Sequence, residues 1–183
     1  MIHPFDDPAV VAGQGTLALE LYEDAPEITD VIASIGGGGM IVGVAAALKA
    51  LNPAIRIWGV ETDGADVMTQ SLRADRPVTL EITSIATTLG APTVSPLTLA
   101  GTRDLVEEVV VVPDEEAVRG IEMFGAAAKV ITEPAAGSTW AAALRLRDRF
   151  PATARLALIL CGGNAGFDDI AIWRAQFPPS AEG

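Results

Sequence analysis

Four consecutive glycines, Gly36 to Gly39, join a β-branched apolar run, "TDVIASI" (29–35), to a stretch with helix-forming composition, "MIVGVAAALKAL" (40–51). The abrupt glycine stop marks the carboxyl end of a strand, and the period then changes from 2 to 3.6. A second apolar, β-branched segment, "IRIWGVE" (55–61), follows a turn at Asn52-Pro53. Strand, helix, strand within about thirty residues is a βαβ unit, whose two strands run parallel with the helix crossing over one face. The glycine run therefore fixes the fold class first: an α/β chain with a mostly parallel twisted sheet and helices on both faces.

The remaining sequence extends the same alternation. "DPAVVAGQGTLALELYED" (7–24) reads as a loop followed by a helix, and "LVEEVVVVP" (105–113) as a strand. "DEEAVRGIEMFGAAAK" (114–129) reads as a helix with acids in its first turn and Asp114 as N-cap, and "EPAAGSTWAAALRLRDRF" (133–150) as another helix. "ARLALILCGGN" (154–164) is almost wholly apolar up to two glycines, the pattern of a central strand buried on both faces. "PPSAEG" (178–183) reads as a fraying tail. All 183 residues are expected to form a single domain. In such sheets ligands bind beyond the carboxyl ends of the strands, so the loops at Gly36–Gly39 and Gly162–Gly163 are expected to face one site.

Composition excludes several classes. The formal charge of −12 would repel phosphate backbones and anionic lipid, so neither nucleic acid nor a membrane is an expected partner. Val31 to Leu48 runs without a charge, but four adjacent glycines would cost an isolated helix roughly 1 kcal/mol each, and a strand follows. The N-terminus has two aspartates and no basic region of a signal peptide, and the lone Cys161 suits a reducing compartment; a cytoplasmic location is expected. His3 is the single histidine and no G-x-S-x-G elbow exists, which leaves a Ser/His/Asp hydrolase unsupported.

At a strand-to-helix junction, glycines let the backbone approach a ligand, while the helix start offers free N–H groups and the positive end of its dipole. That combination is an anion site, most often for phosphate. The Walker pattern fails, because the glycine five residues after Gly38 is followed by Val44 rather than lysine. G-x-G-x-x-G fails as well, since the glycine pairs lead to Ile41 and Val42. Glu61, at the end of the next strand, keeps a dinucleotide ribose site open as the alternative; a phosphate monoester fits better.

Together these segments resemble the pyridoxal-phosphate-dependent threonine and serine dehydratases, with their relative serine racemase, of the tryptophan-synthase-β fold type. The resemblance runs through "HPFDDPAVVAGQGTLALEL" (3–21), "IGGGGMIVGVAAALKALNPAIRIWGVE" (35–61), "ITSIATTLG" (82–90), "RDLVEEVVVVPDEEA" (103–117), "ITEPAAGSTWAAAL" (131–144) and "LILCGGN" (158–164). It implies that Gly36, Gly37, Gly38 and Gly39, with the Met40 amide, wrap the phosphate of pyridoxal 5'-phosphate. It further implies that Cys161, where the family more often has serine, lies beside the pyridine nitrogen, with Gly162, Gly163 and Asn164 shaping that edge. Glu133 matches a family glutamate close to the cofactor. Read without the resemblance, Cys161 is a small buried hydrophobe and Glu133 an ordinary first-turn acid. The implied activity is conversion of L-threonine or L-serine to a 2-oxo acid and ammonia, in a homo-oligomer, with racemisation of serine as the nearest variant and a phosphate-ester-binding module as the non-enzymatic alternative.

Three departures qualify the resemblance. The family joins its cofactor to a lysine in an N-terminal segment. The two lysines here, Lys49 and Lys129, match no such position, and Lys49 lies roughly 15 Å along its helix from the phosphate end at 1.5 Å per residue. The chain is therefore expected to be the C-terminal, phosphate-binding part of a dehydratase, inactive in isolation, without the lysine segment and small domain. Family members that bind a cation use E-x-x-x-A-x-D; Glu61 and Ala65 match, but Val67 replaces the aspartate and leaves the metal unknown. Thr87 and Thr88 stand where many relatives have Asp-Gly, a departure that bears on a backbone contact near the cofactor ring.

Overall fold

The computed structural model describes residues 2–179. Helix α1 (Pro8–Asp24) starts at Asp7, whose carboxylate accepts the Ala9 N–H at 2.8 Å, with Pro8 in the first turn. Strand β1 (Asp30–Ser34) is buried at every residue and runs into the glycines; α2 (Gly39–Leu51) begins at the last of them. Then follow β2 (Arg56–Thr62), α3 (Val67–Ala74), a single 3₁₀ turn at Thr87–Leu89, α4 (Pro96–Leu105) and β3 (Glu108–Val112). The chain closes with α5 (Asp114–Met123), α6 (Pro134–Arg145), β4 (Leu156–Leu158) and α7 (Phe167–Gln176).

The four strands form one all-parallel sheet in the order β3-β2-β1-β4. Alternate side chains divide the core. Val31, Ala33 and Ile57 pack with α1, α2 and α4 on one face, while Ile32, Trp58 and Val60 pack with Ala141 and Ala142 of α6 and with Leu146 just after it on the other. Helices thus cover both faces, as the alternating pattern predicts. On the α6 side, Gly137 permits backbone-to-backbone contact, since a Cβ there would stand 2.2 Å from the Ala117 carbonyl oxygen of α5. The charge-free run 31–48 is divided between β1 and α2, and no helix among the described residues is long and apolar enough to cross a membrane.

Several sequence expectations need correction. The apolar run 154–164 is not a central strand: β4 keeps three residues, pairs only with β1 and is the sheet edge, with Leu156 37% exposed. Apolar composition reports burial of faces, whereas a central position requires a hydrogen-bonded neighbour on each side. The strand expected at 105–113 starts at Glu108, because Leu105 ends α4. That helix is legible in Ser95-Pro96, where the Ser95 hydroxyl and Thr98 form a capping box. Asp114 is not an N-cap: Pro113 occupies that place, and the Asp114 carboxylate accepts from the Ser84 hydroxyl at 2.6 Å and the Ile85 N–H at 2.9 Å. The helix expected over 114–129 yields at Met123 to a π-turn (Phe124–Ala128) ended by Lys129 at φ 61°, and the one over 133–150 stops at Arg145 before a 3₁₀ turn. Helices α3, α4 and α7 are additions to the expected pattern. Most of the tail expected to fray, residues 180–183, lies outside the described residues.

Candidate functional site

A cavity of about 220 Å³ opens at the carboxyl end of β1. Its floor is the glycine run: Gly36 to Gly39 and Met40 all line it, and Glu133 and Cys161 close the opposite side. The two glycine-rich loops converge because β1 and β4 are neighbours in the sheet, so both strands deliver their loops to the same edge. Ser34, the last residue of β1, places its hydroxyl oxygen 3.1 Å from the Cys161 sulfur.

The loop is held from outside the cavity. Gly38 adopts φ 91°, a left-handed conformation that a side chain rarely takes, and caps α2 by accepting the Val42 N–H at 3.1 Å. A Cβ on Gly38 would also lie 2.7 Å from Met68 Cε of α3 and 2.8 Å from Thr98 Cβ of α4. Phe5 stands against Gly37, where a Cβ would come within 2.0 Å of its ring, and so forms one wall. The amides of Gly39, Met40 and Ile41 belong to the first turn of α2, where helix geometry provides no acceptor. An anion placed there would meet these donors and the positive end of the helix dipole.

Glu133 is 6% exposed and occupies the N-cap position of α6. One carboxylate oxygen accepts the Thr88 hydroxyl at 3.0 Å, and its own N–H donates to the Gly162 carbonyl at 3.2 Å. Cys161 lies at the exposed rim. Its thiol is pushed above the ordinary value mainly by desolvation, and further by the Glu133 charge, while the Ser34 hydrogen bond acts the other way. The thiol is therefore neutral at physiological pH.

The remaining candidates are placed differently. Gly162 and Gly163 do not line the cavity; they let the loop after β4 close behind residues 131–133, since a Cβ on Gly162 would lie 2.2 Å from a Glu133 carboxylate oxygen and one on Gly163 2.8 Å from the Ile131 carbonyl. Asn164 is exposed beyond the lining. Glu61 is fully buried, accepting the Met68 and Thr69 N–H groups at 2.7 and 2.8 Å, so its oxygens cap α3 instead of facing a ribose or a cation. Among the described residues no group of three or more His, Cys, Asp or Glu could hold a metal ion. Lys49 pairs with Glu107 and Lys129 donates to the Ala126 carbonyl; neither lines the cavity.

Sequence reasoning does not select Phe5 or Ser34 as site residues, and it marks Thr88 only as a departure that bears on a backbone contact near the cofactor ring. Phe5 and Thr88 fall within the segments that carry the family resemblance, and Ser34 is signalled by its place just ahead of the glycines. A larger cavity, about 640 Å³, lies between α5 and α7 and is mainly apolar. The smaller one carries the first-turn N–H groups of α2 at its glycine end.

The family model described as "Pyridoxal-phosphate dependent enzyme" matches residues 1–162. Serine racemase of Oryza sativa subsp. indica is 40% identical over 182 residues, covering 97% of this chain and 53% of the relative. L-threonine ammonia-lyase of Geobacter sulfurreducens is 36% identical over 172 residues, 93% of this chain and 42% of the relative. Among solved structures, maize serine racemase superposes with a TM-score of 0.85 at 39% identity, covering 96% of this chain and 56% of the other. The processed form of threonine deaminase isoform 2 from Solanum lycopersicum gives 0.89 at 30% identity, covering 95% and 48%. The chain spans about half the length of the curated relatives it matches.

Proposed function

This chain belongs to the pyridoxal-phosphate dependent enzymes, and on that footing we propose that it forms the cofactor-phosphate site of a threonine or serine ammonia-lyase, converting a hydroxy-amino acid to a 2-oxo acid and ammonia. The observation that carries this reading is the convergence of the glycine run, Glu133 and Cys161 on one small cavity. The residues present fit the cofactor. The Gly36–Gly39 backbone, free of Cβ atoms, and the first-turn amides of α2 would hold its phosphate. Cys161, kept neutral and held by Ser34, would meet the ring nitrogen without protonating it. Glu133 would close the same end. When bound, the cofactor supplies an electron-withdrawing ring that acidifies the α-proton of an amino acid. The reacting lysine we assign to polypeptide outside these 183 residues, because Lys49 and Lys129 are engaged away from the cavity.

Racemisation of serine is the second reading, supported by the similarity to rice serine racemase. Assays for 2-oxo acid and for D-serine on a complex that includes the lysine-bearing polypeptide separate the two.

Equilibrium dialysis tests the site itself. The chain is expected to bind pyridoxal phosphate with a Kd of about micromolar to millimolar, roughly −8 to −4 kcal/mol, competed by inorganic phosphate. Borohydride followed by peptide mapping is expected to leave Lys49 and Lys129 unmodified. Binding of phosphate-free pyridoxal with equal affinity, or no saturable binding at all, overturns the reading.

A further inference from the structure

Thr88 touches two parts of the site at once and reaches a third through Glu133. Its hydroxyl donates to Glu133 at 3.0 Å; its carbonyl oxygen, with the adjacent Leu89 backbone, packs on Gly36, where a Cβ would stand 3.4 Å from the Thr88 oxygen. Glu133, so held, abuts Gly162 and thereby the loop that carries Cys161. The turn bearing Thr88 is itself pinned from behind by the Asp114 carboxylate, through Ser84 and the Ile85 N–H.

We propose that Thr88 is a positioning residue that fixes the Glu133 carboxylate against the glycine run, setting the separation between the phosphate end of the cavity and its Cys161 end. Gly36 lies on the phosphate side and Glu133 on the other, and the Thr88 side chain and backbone bridge them within one residue. A ligand occupying both ends depends on this bridge; a ligand occupying only the phosphate end does not. The role rests on the cofactor reading above.

The test compares Thr88→Val, Thr88→Ser and the unsubstituted chain for binding of pyridoxal phosphate and of inorganic phosphate by calorimetry. Thr88→Val, which keeps the size and removes the donor, is expected to weaken pyridoxal phosphate about tenfold, the effect of one charge-assisted hydrogen bond, and to leave inorganic phosphate within about twofold. Thr88→Ser is expected to bind as the parent does. Thr88→Ala replaces the valine variant if that chain does not fold. A double-mutant cycle with Glu133→Gln is expected to be non-additive. Equal pyridoxal phosphate affinity in the valine and parent chains, a serine variant as weak as the valine one, or an additive cycle overturns the role of Thr88 alone. Absence of saturable pyridoxal phosphate binding in the parent overturns the cofactor reading instead.

Discussion

The Ser34 hydroxyl and the Cys161 thiol meet at 3.1 Å, at the carboxyl ends of two adjacent parallel strands and across 127 residues of sequence. The pair links the last residue of β1 to the loop after β4, and the environment on each side of the sulfur can be titrated separately. Thiol reactivity measured against pH is expected to give an apparent pKa above that of a free cysteine. Glu133→Gln removes a negative charge and is expected to lower that value, whereas Ser34→Ala removes a stabilising hydrogen bond and is expected to raise it. Shifts in the reverse directions would contradict the described surroundings of the thiol.

Gly38→Ala meets both a positive φ and two side chains. The left-handed conformation alone costs of order 1–3 kcal/mol for a residue with a side chain, and the close approach of Met68 and Thr98 adds to it. Urea unfolding is expected to show a loss of at least about 1 kcal/mol, together with weaker binding of inorganic phosphate. A variant as stable as its parent with unchanged phosphate affinity would show that the loop does not depend on this geometry.

Glu61 governs a pH dependence of stability. Burial pushes its pKa from 4.5 up to about 7, outweighing the two amides that favour the charged form. Because the folded chain holds this proton more tightly than the unfolded one, the contribution is fully present below about pH 4.5 and is lost as the pH rises through 7. The loss amounts to something on the order of 3 kcal/mol. The stability of the parent relative to Glu61→Gln is therefore expected to fall between about pH 5 and pH 8. Parallel urea midpoints for the two chains across that range would refute it.

Trp58 joins the α6-side core to a buried charge. It is 1% exposed, and its indole N–H donates at 2.9 Å to Asp30, which is fully buried and paired with Arg56 at 2.8 Å. Trp58→Ala leaves a cavity and removes one of the donors to Asp30, and is expected to cost about 3–5 kcal/mol. Trp58→Phe keeps most of the volume and isolates the hydrogen bond, at about 1–3 kcal/mol. Denaturant midpoints of the two variants decide whether packing or polar satisfaction contributes more.

Local pattern alone determined the alternating α/β order, the parallel sheet and the meeting of two glycine-rich loops at one edge. The reason is that strand and helix periods, glycine stops and proline starts act over a few residues, and parallel pairing brings successive carboxyl ends to the same side. The glycine junction was legible for the same reason, since a free helix N-terminus is a property of Gly38 to Ile41 and their neighbours in sequence. What lies beside that loop was decided by packing between distant segments. Thr88 reaches Glu133 only because Asp114 anchors the turn that carries it, and Phe5 lies on Gly37 only because α1 packs along α2. Glu61 looked available for a ribose or a cation until α3 turned its first amides onto the carboxylate. The apolar run at 154–164 looked central, yet edge or centre is a matter of which strands stand alongside, and hydrophobicity records burial of a face without recording the neighbour in the hydrogen-bonding direction.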